Sequence, residues 1–186
     1  LPEGTPNYFL INITGDQKTE LDTHFKSNGI TIDEFYPVIR GRFVAVNDDS
    51  VNTEVSKEED SNTEGRQGLG REANLTWSNS LQKENEITSG TWHGDNPDAL
   101  DEGVFAVSVE TDVGERLGIE LGDMLTFNVG SEIVKTKVTS FRKVNWQTMQ
   151  PNFFFVIQPE AMAAFNPTYI TSFYLPEAQK SQLTTL

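Results

Sequence analysis

The stretch from Thr139 to Leu175, TSFRKVNWQTMQPNFFFVIQPEAMAAFNPTYITSFYL, is dense in aromatic and β-branched residues and contains neither cysteine nor histidine. Such residues fit a pleated, half-buried surface and are poor helix formers, so this part of the chain must be built largely from strands. It also lacks any Ser-His-Asp arrangement. That directs the search toward a binding or force-transmitting module ahead of an enzyme.

With 186 residues the chain is long enough to bury a core as one domain or two small lobes. A hydrophobic fraction of 36% and a mean hydropathy of −0.44 place it on the polar side of globular. No apolar run approaches the roughly 18 residues that a membrane span needs. The chain begins at Leu1 without a basic-then-apolar leader, which suggests an excised domain or a processed protein. Without cysteine, thiolate catalysis, disulfides and cysteine-ligated metal centres are all excluded. The net charge of −14, from 14 basic and 28 acidic residues, argues against nucleic acid as a partner and against anionic lipid surfaces.

Tyr8–Ile13 reads as a strand, Asp16–Asn28 as a helix with Leu21 and Phe25 four apart, and Phe35–Val46 as a second strand. Thr14 or Asp16 can cap that helix and Asn28-Gly29 can end it. From Asn47 to Gly70 the sequence is polar, acidic and punctuated by glycine, a composition expected to form a long mobile loop. A strand follows at Glu72–Trp77, then a turn-rich acidic stretch from Ile87 through Gly103. Val104–Val109 reads as a strand and Thr111–Leu117 as a short helix capped by Thr111 and closed by Gly118. Met124–Val129 and Ile133–Val144 read as strands joined at Gly130-Ser131. Phe153–Ile157, a short helix over Pro159–Phe165, the strand Tyr169–Tyr174 and a last helix from Pro176 complete the chain.

Candidates for chemistry are few. His93 has Asp95, Asp98 and Asp101 nearby, yet the spacing fits no EF-hand or zinc motif, and Pro97 breaks a helical ligand face. The group reads as a solvated acidic loop. His24 reads as a helix-surface or edge histidine. Gly65, Gly68 and Gly70 form G-x-x-G-x-G with no Lys-Ser/Thr after it, which is loop punctuation and not a phosphate cradle. Trp77, Trp92 and Trp146 fit either a groove or a core. No metal or cofactor is expected.

Several segments resemble a known family: FYPVIRGRFVAVN (Phe35–Asn47), REANLTWSNSL (Arg71–Leu81), SVETDVGERLGIELGDMLTFNVG (Ser108–Gly130), VTSFRKVNWQTMQPNFFFVIQPEAM (Val138–Met162) and PTYITSFYLP (Pro167–Pro176). Together they are similar to the second large periplasmic domain of YbbP-type permeases, in the FtsX/MacB-like (type VII) class of ABC transporters. The chain departs from that pattern at Thr91-Trp92-His93, where relatives tend to have Arg-Trp-Trp, and at Glu72-Ala73, where they tend to have Glu-Phe.

The resemblance implies an α+β fold, with a porter-like β-α-β lobe interrupted by a smaller β-rich (Sabre-like) lobe. The expected division is residues 1–48 plus 166–186 for the porter-like lobe, without its last strand, 49–70 for the loop, and 71–165 for the inserted lobe. It further implies an inner-membrane permease with this domain in the periplasm and no catalytic residues. ATP hydrolysis would sit on a separate cytoplasmic subunit reached through the membrane helices, and the domain would pass that motion to a lipid, another hydrophobic substrate or a periplasmic partner. A periplasmic thioesterase/lysophospholipase is the partner the family suggests. The expected contact surface is Trp146, Met149, Phe153 and Phe155 flanked by Arg142 and Lys143. The alternative from another class is a secreted hydrolase or a carbohydrate-binding module using acidic pairs and tryptophan platforms.

Overall fold

Alternation of apolar and polar side chains with period two organises most of this structure. The computed structural model describes residues 6–32, 34–47, 49–50, 72–95, 99–147 and 150–175. The strands are β1 (Tyr8–Ile13), β2 (Tyr36–Val46), β3 (Asp49–Ser50), β4 (Glu72–Trp77), β5 (Asn85–Gly90), β6 (Val104–Glu110), β7 (Met124–Val129), β8 (Glu132–Val144), β9 (Phe155–Ile157) and β10 (Thr168–Phe173). Helix α1 spans Gly15–Ser27, α2 spans Thr111–Leu117, and a 3-10 turn covers Pro159–Met162. Two compact units result: Leu1–Val38 with Trp146–Asn152 and Pro167–Leu186, and Ile39–Asn145 with Phe153–Asn166.

In the first unit β10 is central. It pairs antiparallel with β1, Tyr8 opposite Phe173, and with the start of β2, Thr168 opposite Val38. Helix α1 begins with a capping box: the Thr14 hydroxyl accepts from the Gln17 N–H at 3.3 Å, and the Gln17 side-chain oxygen accepts from the Thr14 N–H at 3.1 Å. The helix fully buries a single side chain, Phe25, which stacks on Phe173 with ring centroids 5.0 Å apart; Phe173 stacks in turn on Tyr8 at 5.5 Å. Ile30 and Leu175 complete this small core.

The second unit is a closed ring of six strands in the order β2-β4-β9-β6-β8-β7 and back to β2. Two neighbours, β4 with β9 and β6 with β8, run parallel; the other four contacts are antiparallel. Closure removes the exposed edges that an open sheet leaves. Alternation on β7 sends Leu125, Phe127 and Val129 inward. Phe43, Phe127 and Phe155 meet within this interior at centroid distances of 5.1 to 5.4 Å, joined by Leu75, Val107, Val109 and Ile157. Strand β8 is 13 residues long because it serves three neighbours, β6 along one stretch, β7 at Glu132–Lys137 and β5 at Ser140–Val144.

The expected α+β, porter-like architecture is therefore corrected. The chain is mostly β, its central feature is the six-stranded barrel with further strands, and the β-rich unit is the larger of the two. The physical reason is the small apolar area its helices offer: α1 buries one side chain fully and α2 adds Val113 and Leu117, while the strands supply most of the larger core. Two local expectations change as well. Asn85–Gly90, within what reads as turn-rich sequence, is a strand on the edge of β8. The cap of α2 comes from Glu110, whose carboxylate accepts from the Val113 N–H at 2.7 Å, one residue before the expected Thr111. Of the expected acidic loop, Asp49–Ser50 pair with Ala45–Val46. Residues 51–70, including the G-x-x-G-x-G glycines, lie outside the described residues, as do Asp98, Met149 and the helix expected from Pro176.

Candidate functional site

Along β8 the buried positions Val134, Thr136 and Val138 alternate with exposed ones up to a shift of register against β6; past it Phe141 lies opposite Val109 on the core face, and Arg142, also buried, lies opposite Glu110 on the other face. Its guanidinium is wholly buried. It donates to the carbonyl of Ser108 at 2.8 Å, to that of Phe153, to that of Phe154 at 3.5 Å, and through Nε to Asn85 Oδ1 at 3.1 Å. The fork geometry of arginine lets one side chain tie β5, β6 and the approach to β9 together. Burial pulls the Arg142 pKa down to about 10, while the carboxylate of Glu110 favours the charged form. Glu110, itself buried, lies opposite Arg142 in the β6–β8 register.

The six residues expected to form a contact surface are thus differently placed. Arg142, Phe153 and Phe155 are buried, Phe155 among the barrel aromatics. Lys143 is exposed and Trp146 is 50% exposed. Met149 lies outside the described residues. A period-two reading of the strand Ile133–Val144 does not place Arg142, because the register shift after Val138 changes which face the later residues meet.

A second polar cluster surrounds His93. The Trp92 indole donates to the Asn79 carbonyl at 2.8 Å, and His93 Nε2 lies 2.7 Å from the Ser78 carbonyl. A carbonyl only accepts, so Nε2 carries the proton and Nδ1 is left as a lone pair, buried and without a partner. Trp92 and His93 rings lie 4.1 Å apart. Burial lowers the His93 pKa from its ordinary value of 6.5; the Ser78 hydrogen bond and Glu160 act the other way, and Arg142 adds to the lowering. The approach of the Trp92–Asp95 turn to Asn79 is so close that a Cβ at Gly94 would collide with the Asn79 carbonyl. Among the described residues no three His, Cys, Asp or Glu side chains come together as metal ligands. What these groups do chemically is hold main chain, and sequence reading missed the clamp because its partners are backbone carbonyls.

No protein-family profile matches the chain. Over 173 residues it is 38% identical to a protein of Escherichia coli (strain K12) described as the uncharacterized ABC transporter permease YbbP, covering 93% of this chain and 19% of that protein. The chain therefore spans about a fifth of the length of the relative it matches. A crystallised domain of a proposed permease protein from Porphyromonas gingivalis superposes over 87% of this chain and 69% of its own, with a TM-score of 0.39 and 11% identity.

Proposed function

The chain is a relative of the YbbP-type ABC transporter permeases, and from that kinship we propose that it is the extracytoplasmic part of such a permease and works as a stiff mechanical element. In this reading an ATPase subunit drives the membrane helices of the full protein, and the domain passes that motion to a lipid, another hydrophobic substrate or a periplasmic partner. The observation that carries it is the closed barrel with Arg142 at its wall, holding main-chain carbonyls of two segments, Ser108 on β6 and Phe153–Phe154 before β9. A body built to transmit displacement needs such cross-links, since slack between strands would absorb the motion. Among the described residues no helix is long and apolar enough to cross a membrane.

For the contact itself we propose Trp146, half-exposed and aromatic, as the residue that meets the partner. A periplasmic thioesterase/lysophospholipase is the partner to try first by co-purification with the full permease. This chain contributes no cysteine of its own to the labelling. Cysteines placed at the exposed Ile133 and Glu132 in the full permease should react with a membrane-impermeant maleimide in intact cells. Spin labels within the barrel should keep their mutual distances when ATP binds, while distances from the barrel to the membrane helices change. Labelling only after the membrane is permeabilised, or distances that change within the barrel itself, would refute the proposal.

A further inference from the structure

Strand β1 and helix α1 enclose a cleft of about 480 Å³ that no part of the reading above uses. Its size lies within the roughly 300 to 1,000 Å³ usual for small-molecule sites. The strand side is apolar. Pairing of β1 with β10 breaks between Leu10 and Ile13, where Asn12 takes a φ of +55°, and Ile11 is left 63% exposed at the cleft. A bulge of this kind re-aims side chains at a sheet margin. With Leu10, Ile13 and Leu21, Ile11 forms a wall for an aliphatic chain.

The helix side is polar. Gln17, Glu20 and His24 follow one another at spacings of three and four on a single helical stripe. The Gln17 side-chain oxygen is taken by the Thr14 N–H. His24 lines the same side, with its Nε2 enclosed and turned away from a ligand's reach. Glu20 is exposed at the same stripe. The nearby cations point elsewhere: Lys18 lies 4.6 Å from the ring centroid of Tyr169, and Lys26 pairs with Asp22 at 3.0 Å.

We propose that the cleft between β1 and α1 binds a small cationic amphiphile, an aliphatic chain ending in an ammonium group. The chain lies on Leu10, Ile11, Ile13 and Leu21, and the ammonium donates to the Glu20 carboxylate. A carboxylate or phosphate head is disfavoured by Glu20 and by the net charge of −14. A neutral alcohol fits the wall but lacks the charge-assisted bond.

The test is a two-dimensional amide NMR titration of this chain with n-hexylamine, n-hexanol and hexanoate at about pH 7.5, where an alkylamine is protonated. Shifts confined to β1 and α1, with hexylamine binding at least about tenfold tighter than hexanol and hexanoate weaker than both, support the site. Glu20→Gln should reduce hexylamine to the affinity of hexanol, and Ile11→Ser should weaken amine and alcohol by the same factor. Both positions are exposed, so the fold should survive, as the unchanged remainder of the spectrum would verify. No hexylamine binding, equal binding of hexanoate, shifts centred elsewhere, or an unchanged affinity in Glu20→Gln would each overturn it.

Discussion

Arg142 and Glu110 face each other in register on two parallel strands, both buried, and each makes its hydrogen bonds to other groups. Arg142 holds the carbonyls of Ser108, Phe153 and Phe154, while Glu110 caps α2 through the Val113 N–H. The two charges offset one another inside the protein while each organises separate backbone. Removing one leaves the other uncompensated.

Arg142→Met is therefore expected to destabilise the chain by about 3 to 5 kcal/mol, since it removes the guanidinium donors from the Ser108 and Phe153 carbonyls and leaves a buried carboxylate. Arg142→Lys should recover only a small part of this, because an ammonium cannot reproduce the fork. Urea unfolding at constant m-value reads both. In a double-mutant cycle, Glu110→Gln should cost less in the Arg142→Met background than in the wild type.

His93 should make stability depend on pH in a defined direction. Its folded pKa lies below the ordinary 6.5, so the unfolded chain takes up the proton first. The contribution is complete above about pH 6.5 and is lost as pH falls from there toward the folded pKa. Thermal midpoints of the wild type and His93→Gln, measured from about pH 7.5 down to pH 5, should differ in slope. The titration of the His93 ring by NMR should have its midpoint below 6.5, and lower still in Glu160→Gln, which removes a group favouring the cation.

The aromatic triad supplies a packing test. Phe127 is fully buried and its ring centroid lies 5.4 Å from that of Phe43 and 5.1 Å from that of Phe155. Phe127→Ala should cost about 3 to 5 kcal/mol, and Phe127→Leu distinctly less, because the cavity is smaller. Equal losses in the two variants would mean that the barrel interior collapses around the deletion.

Two glycines should respond differently to alanine. Gly94→Ala drives a Cβ into the Asn79 carbonyl and should displace the Trp92–Asp95 turn. Gly118→Ala meets open space but sits at φ +68° as the C-cap of α2, so its cost is limited to about 1 kcal/mol of backbone strain. Trp92 fluorescence should change in the first variant and not in the second.

Much of the local structure was legible in the residues. Strand-forming residues marked β1, β4, β6 and β7 nearly residue by residue, and Thr14, offered with Asp16 as a cap, marked the start of α1, though its partner Gln17 did not show. Strand β5 was hidden because NEITSG is polar and mostly exposed; it is a strand by virtue of its hydrogen bonds to β8. The candidate site was half visible. Arg142 stood out as a contact candidate, yet the register shift along β8 hid its burial, and its partners are carbonyls, which every residue possesses and no sequence distinguishes. The cleft residues Ile11 and His24 carry no pattern at all until β1 and α1 are set side by side.

The sequence by itself determined most of the strands, all but β3 and β5, along with the approximate start of two helices, the lack of thiol chemistry in these residues, and the kinship to a permease. The tertiary structure alone decided that six of those strands close into a ring. Closure rests on β4 pairing with β9 and β6 with β8, contacts between segments far apart in the chain. Period and propensity are local properties of a few residues. They specify which face of a strand is buried, and they are silent on which strand will lie beside it.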